Sequence, residues 1–376
     1  MGNMAAPKQV DQVPARPPTA KPDFTIGSLR KAISPHCFER SLLKSFSSLL
    51  CDVVLAAALF YASTWIDRPA VPRWLAWGLL WPLYWFWQGV VCTGIWVIAH
   101  ECGHGAFSKY SWVNDAVGLV FHSALLVPYY SWKHSHRRHH SNTGSVDKDE
   151  VFVPFKDEAE LPFHKWTWYR ALFLTIQQLF GWHLYLFFNV SGRPYSRFAN
   201  HFDPYSPIFS KRERMEVLIS DASILAVGFG LYQAALAFGW PWLVKHYIMP
   251  YVCVNFWLVM ITYLQHTHPN LPHYQEKEWD WLRGALATVD RSYGILDHFF
   301  HHIADTHVTH HLFSQLPHYH AQEATEAIKP ILGKYYCYDS RNVFKALWQE
   351  TNICHYVQPE QPHSGILWFQ TVGKDD

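Results

Sequence analysis

Three short histidine clusters, set between apolar runs long enough to cross a bilayer, constrain this chain more than any other feature. They are His100-Glu101-Cys102-Gly103-His104, His136-Arg137-Arg138-His139-His140 and His307-Val308-Thr309-His310-His311. Residues three and four apart share one face of an α-helix, so each cluster can aim two or three imidazoles at one point. Together they hold eight histidines, whereas a zinc site closes with about three or four protein ligands. The count calls for two metals. If the clusters share one site, the apolar segments between them must return the chain to the same side of the membrane each time.

Composition agrees with a membrane protein. Apolar residues make up 49% of the 376 and charged residues only 16%, against roughly 25% charged in a soluble domain. A mean hydropathy of −0.09 is too low for a chain made mostly of spans, so a few helices carry a large water-facing portion. The formal net charge of +1 gives no reason to expect nucleic acid. Seven cysteines without a CxxC pair signal neither a disulfide framework nor a zinc ribbon. Residues 1–23, with Pro14, Pro17, Pro18 and Pro22, read as a disordered arm lacking a signal-peptide core, which leaves the N-terminus cytosolic. Residues 24–48 suit a short amphipathic helix on the membrane surface, starting near Thr25 and interrupted at Ser34-Pro35.

Parity then sets the topology. Runs at 49–66 and 74–99 are the first two expected spans, joined by a turn that contains Pro69 and Pro72. Segment 116–130 is short for a span and broken by His122 and Pro128. It reads as re-entrant or interfacial, because a crossing would put the first two clusters on opposite sides. Three further stretches, 166–190, 217–240 and 244–264, precede the third cluster. Three crossings would strand His307, so one must not cross. The first carries Gln177, Gln178 and His183 and is followed by Arg193, Arg197, Lys211, Arg212 and Arg214, which favours its retention on the cytosolic side. The expected fold is an all-α integral membrane protein with four transmembrane helices in two hairpins, interfacial helices and a cytosolic His-rich cap. Its expected divisions are 1–48, 49–264 and 265–376, with both termini cytosolic. The sequon Asn189-Val190-Ser191 would then be unglycosylated, and a helix is expected over 321–332, ended by Gly333.

Blander readings of the clusters explain less. The first fits a zinc-peptidase HExxH signature with Glu101 as general base, but that site needs one more ligand rather than six. Glu101 can instead orient an imidazole from behind. A basic patch for lipid headgroups accounts for Lys133, Arg137 and Arg138 but not for the histidine spacing. Ile303, Val308, Leu312 and Phe313 make the third cluster a packed helix rather than a solvated tract. A metal transporter would need polar residues in its spans, where this chain has little beyond Asp52 and Asp221. Nitrogen-rich ligation suits iron, zinc, copper or nickel.

In this order and with these neighbours, the motifs resemble the membrane-bound histidine-box acyl-lipid desaturases, most closely the plant-type microsomal oleate delta-12 family. The resemblance runs from about Phe24 to Val357. It rests on Ala99-His100-Glu101-Cys102-Gly103-His104, on Ser135-His136-Arg137-Arg138-His139-His140-Ser141-Asn142-Thr143-Gly144 and on Asp305-Thr306-His307-Val308-Thr309-His310-His311-Leu312-Phe313. Leu264-Gln265-His266-Thr267-His268-Pro269 and the stretch from Trp279-Asp280-Trp281 to Val289-Asp290-Arg291 add to it.

The resemblance implies a non-haem diiron centre held by His100, His104, His136, His139, His140, His307, His310 and His311, with O2 as co-substrate. It makes His266 the first choice for a further ligand, ahead of His268 and His301. It also implies electrons from cytochrome b5 and its reductase, the endoplasmic reticulum membrane, and oleoyl chains on phospholipid as substrate, giving linoleoyl. No catalytic side chain separate from the metal ligands is expected, since an unactivated methylene offers no acid or base handle. No haem-binding or Rossmann motif is present, so the electron donor is a separate protein, for which Arg137 and Arg138 could form a docking patch. Homo- or hetero-oligomers are compatible with this reading.

Departures from the family pattern fall beside the boxes: Gly105 where a further His is usual, Thr309 where Ala is common, and His302 where Asn is common. Diverged relatives that hydroxylate, epoxidise, conjugate or acetylenate differ at such positions, so these departures bear on the product rather than on the reaction class.

Overall fold

The structure, a computed structural model, describes residues 13–373. The first part of the expected disordered arm lies outside the described residues, and residues 13–23 form neither helix nor strand. The chain is mostly helical. Helix α1 (Ile26–Ala32) starts with a reciprocal cap: Thr25 Oγ1 accepts from the Ser28 amide at 3.2 Å and Ser28 Oγ accepts from the Thr25 amide at 2.9 Å. It stops before Pro35, whose ring disfavours helix in the preceding residue.

Four long helices form two antiparallel pairs. Helix α2 (Leu42–Ser63) begins on the histidine side, where Ser45 donates to the Phe107 carbonyl at 2.8 Å, and α3 (Arg73–His104) returns to end in the first cluster. Helix α7 (Arg214–Phe238) likewise starts beside the second cluster, since Ser220 Oγ accepts from the Tyr130 amide at 2.8 Å. Helix α8 (Trp240–His266) runs back and ends at His266. Helices α3 and α8 are therefore parallel. At their far ends Lys245 pairs with Asp67, and Trp85 Nε1 donates to the Lys245 carbonyl at 2.9 Å. Gly89 sets their separation, because a Cβ there would come within 2.3 Å of Cys253 Cβ. Such close backbone approach is how helices pack where lipid removes the hydrophobic drive.

Between α3 and α7 the chain enters and leaves on the histidine side. Helix α4 (Ser111–Ala124) runs inward until Tyr247 Oη donates to the Ala124 carbonyl at 2.8 Å. Leu126, at φ 54°, turns the chain, and α5 (Tyr129–Asn142) carries the second cluster back out. Helix α6 (Thr167–Phe188) is a fifth segment long and apolar enough to cross a membrane among the described residues, one more than the four expected spans. Its flanks are tied to neighbouring segments on the histidine side. Arg170 Nε donates to Asn352 Oδ1 at 2.6 Å, and the Val153 amide donates to the Ser191 carbonyl at 3.1 Å.

Over the helix ends lies a layer containing α9 (His307–Leu312), α10 (Ala321–Leu332), which stops at Gly333 as expected, and α11 (Val343–Ile353). This layer departs from an all-α fold by two small sheets. Strands β1 (His273–Tyr274), β4 (Tyr356–Pro359) and β5 (Ile366–Gln370) pair antiparallel in the order β1-β5-β4, and β2 (Asp290–Arg291) pairs parallel with β3 (Tyr338–Asp339). Chain crossing over a buried site must satisfy its amides, and short strands do so where helices are too bulky. A buried ion network fastens this layer to α8. Arg291, fully buried, pairs with Asp339 and Glu350, which Arg341 also contacts, while Arg291 Nε donates to the Leu264 carbonyl at 3.0 Å.

Candidate metal centre

The first cluster occupies the last turn of α3, closed by Gly105 in the left-handed conformation at φ 72°. The second lies on the last turns of α5 and the third forms α9. All eight cluster histidines and His266 converge. Their imidazoles form two groups, each drawn from more than one cluster. In the first, His100 Nε2 is 2.9 Å from His136 Nε2 and 3.2 Å from His104 Nε2, and His136 Nε2 is 3.1 Å from His140 Nε2. His310 completes that group. In the second, His266 Nε2 is 3.3 Å from His139 Nε2 and 3.2 Å from His307 Nε2, with His311 beside them.

These separations fit metal ligation. Metal–imidazole bonds of about 2.0–2.1 Å place neighbouring ligand nitrogens about 2.9–3.4 Å apart in octahedral or tetrahedral arrangements. The Nε2 atoms of His310 and His311 are buried without a hydrogen-bond partner, as expected of nitrogens that face a cation. Burial also pushes His136, His140, His310 and His311 well below the ordinary imidazole range, and His307 down to about 3. Neutral imidazole is the ligating form. The site could hold two metal ions, one per group.

Behind the rings, hydrogen bonds set their orientation. His139 Nδ1 lies 2.7 Å from Asp149 Oδ1, His307 Nδ1 donates to the Ile303 carbonyl at 3.1 Å, and His311 Nδ1 contacts Thr143 Oγ1 at 3.2 Å. Asp149 is itself held by the amides of Gly144 and Val151 at 3.3 and 3.1 Å. Asp290 accepts from the Val308 amide at 2.7 Å, anchoring the short helix α9. Sequence reasoning missed Asp149, Thr143 and Asp290. Only the run of polar residues after the second cluster hinted at the first two.

The other candidates separate cleanly. Glu101 accepts from the amide and the Nδ1 of His318, both at 2.6 Å, so its carboxylate is engaged away from the cavity in which a peptidase base would have to act. His318 was another omission. His301 Nε2 lies 2.7 Å from Asp52 Oδ2, and His268 Nδ1 accepts from the Asn270 amide at 3.0 Å; neither joins the two groups. Arg138 pairs with Glu213 at 2.5 Å, which leaves Arg137 the more exposed of the two.

A cavity of about 290 Å³ opens onto both groups, reaching His100, His136, His139, His266 and His307. Its walls come from α3, α5, α6, α8 and the 151–155 loop, with Trp96, Trp132, Phe152 and Trp182 prominent. Thr309 and Gly105 do not line it. A largely apolar slot ending at clustered imidazoles suits a flexible hydrocarbon chain.

The comparison with known proteins identifies the architecture. The chain matches the fatty acid desaturase family over residues 54–341. It belongs to that family. This desaturase is 58% identical to a delta(12)-acyl-lipid desaturase of Punica granatum over 363 residues, covering 94% of this chain and 92% of the relative. It is 56% identical to a delta(12)-fatty-acid desaturase of Vernicia fordii over 377 residues, covering 98% of each. An oleoyl-12-hydroxylase of Ricinus communis is 54% identical over 366 residues, covering 94% of this chain and 92% of the relative. The desaturase is thus a membrane oxidoreductase acting on lipid-bound acyl chains.

Proposed function

We propose that this desaturase introduces a cis double bond between carbons 12 and 13 of oleoyl chains on phospholipid, giving linoleoyl, at a non-haem diiron centre. The observation that carries the reading is the two histidine groups facing one aromatic-walled cavity. Relatives named as delta(12) desaturases supply the regiochemistry. The net reaction removes two hydrogens from the chain and, with O2, two electrons and two protons, releases two waters. We assign the electrons to cytochrome b5 and its reductase, and the location to the endoplasmic reticulum with both termini cytosolic.

When bound, the two irons supply the oxygen activation that no side chain here can provide. His100, His104, His136, His140 and His310 would hold one, and His139, His266, His307 and His311 the other. Asp149, the Ile303 carbonyl and Thr143 keep ring nitrogens aimed inward. The cavity walls hold the methylenes in one orientation and keep bulk water away. Histidine-only ligation differs from the carboxylate-bridged diiron sites of soluble bundles.

For the membrane arrangement, we read α2, α3, α7 and α8 as the four spans and α6 as lying along the interface. A helix of 22 residues is about 33 Å long, and contacts to α11 near one end and to the 151–155 loop just beyond the other favour that orientation.

Expression in yeast that supplies oleate and an electron donor, followed by fatty-acid methyl ester analysis, tests the reaction. Linoleate is the expected new product. A 12-hydroxy product without linoleate would overturn the reading in favour of the hydroxylase activity named in the Ricinus relative. Iron analysis tests the centre: about two irons per chain are expected, and His266→Ala should lose about half.

A further inference from the structure

A second group of metal-ligating side chains lies outside the histidine-rich centre. His36 and Cys37 are adjacent on a short 3-10 helix, Pro35–Phe38, and His320 and Glu323 are one turn apart at the start of α10. His36 Nε2 is 3.0 Å from Glu323 Oε2 and 3.6 Å from Cys37 Sγ, and His320 Nδ1 is 4.0 Å from the same Glu323 oxygen. One donor atom from each of the four lies within 4.8 Å of all the others.

A tetrahedral zinc ion, with bonds of about 2.3 Å to sulfur and about 2.0–2.1 Å to nitrogen and oxygen, would set sulfur and nitrogen about 3.6 Å apart and nitrogen and oxygen about 3.3 Å apart. The widest separations, up to 4.8 Å, must close by at most about 1.5 Å, shared between two side chains, to reach those values. Both parent segments are fixed, because Cys37 is buried in the core that also contains Leu29, Ala324 and Ile328. One thiolate, two imidazoles and one carboxylate suit zinc, whereas calcium and magnesium take oxygen ligands.

We propose that His36, Cys37, His320 and Glu323 bind one zinc ion that clasps the segment before α2 to the start of α10. Binding forms one bond to each side chain, displaces water from the ion and releases the Cys37 thiol proton to solvent. One neighbour must yield: the Lys44 ammonium is 3.4 Å from His320 Nε2, and ligation through Nδ1 puts a proton on that nitrogen. Lys44 is exposed and can turn to water.

The clasp sits where it would brace the catalytic centre. The segment it holds includes Tyr319, which accepts from the Ser41 amide at the cap of α2, and His318, which engages Glu101 in the first cluster. Thr325, within the same helix, contacts Thr309 in the third cluster.

Total zinc alone does not decide the matter, since the nine-histidine centre also accepts that ion. Its ligands, however, contain no sulfur. Zinc-edge X-ray absorption on the full-length, iron-loaded protein in detergent, given equimolar zinc, should show one sulfur scatterer at about 2.3 Å. Cys37→Ser should remove that scatterer. Glu323→Gln, on an exposed side chain, should weaken zinc binding at least tenfold, with iron content unchanged in both variants. Lys44→Ala should retain zinc. A zinc shell of nitrogen and oxygen only, or sulfur scattering that persists in Cys37→Ser, overturns the proposal. If Cys37→Ser does not fold, unchanged zinc affinity in Glu323→Gln overturns it equally.

Discussion

Asp149 controls more of the centre than its distance from the clusters in sequence suggests. One of its oxygens serves both His139 Nδ1 and the Val151 amide, and the other accepts from the Gly144 amide. Asp149→Asn keeps the shape but turns an NH2 group toward one of these donors and removes the charge that would make His139 a better ligand in the proposed centre. Iron retained after purification should show affinity reduced about 10- to 100-fold, and a variant with full iron would refute that role. Thr309 has a different logic. Its hydroxyl lies 2.6 Å from Thr325 Oγ1, which donates to the Ala321 carbonyl, and the side chain is absent from the cavity wall. Thr309→Ala should therefore cost about 1 kcal/mol of stability and leave the ratio of olefin to hydroxy product unchanged. A product shift measured by methyl ester analysis would mean that Thr309 acts on the substrate through α9. Gly105 lies at φ 72°, where a histidine would be strained by about 1 kcal/mol or more. Its glycine thus answers first to the turn.

Helix α9 has six residues and no side-chain cap, far too little to persist alone. Its stability is borrowed from β2, through the bond between Asp290 and the Val308 amide, and from α10, through Thr325. Burial raises the Asp290 carboxyl to about 7, above the ordinary value of about 3.9. The protonated acid is thus favoured in the folded state. Its contribution to stability is complete below about pH 4, declines as pH rises, and is lost above about pH 7. Against Asp290→Asn, which cannot titrate, the wild-type advantage in thermal midpoint should shrink between pH 5 and pH 8; a constant difference would contradict the raised carboxyl. At this scale the sequence was legible wherever the signal was local. Thr25 announces α1, Gly333 ends α10, and the i, i+3, i+4 spacing identifies the three cluster helices. The strands were not legible, because two-residue pairs such as Asp290–Arg291 with Tyr338–Asp339 are chosen by what the layer must cover, not by alternation along the chain.

Across the whole molecule, the convergence of the clusters was the premise from which parity set the crossings, whereas their division between two sites was not legible in the sequence. His136 and His139 are three residues apart yet face different groups, and His266 joins the second from the end of another helix. The partition comes from how α3, α5, α8 and α9 pack together. The count of spans rests on α6, where composition and geometry pull apart. Its apolar length permits a crossing, but a crossing would place its two flanks on opposite faces of a hydrocarbon core about 30 Å thick. Those flanks carry contacts to Asn352, in α11, and to Val153, in the loop that follows the second cluster, both beside the histidine-rich layer. In full-length protein expressed in a eukaryotic cell, the sequon at Asn189 should therefore stay unglycosylated, while a sequon inserted between Ala70 and Val71, in the far-side turn, should be modified. A glycan at Asn189 would make α6 a fifth span. It would also require His266 and His307, after two further crossings, to reach the other clusters from the opposite side, which the 3.3 Å separation of His139 and His266 does not permit. Modification at neither site would leave the inserted turn cytosolic and overturn the first hairpin instead.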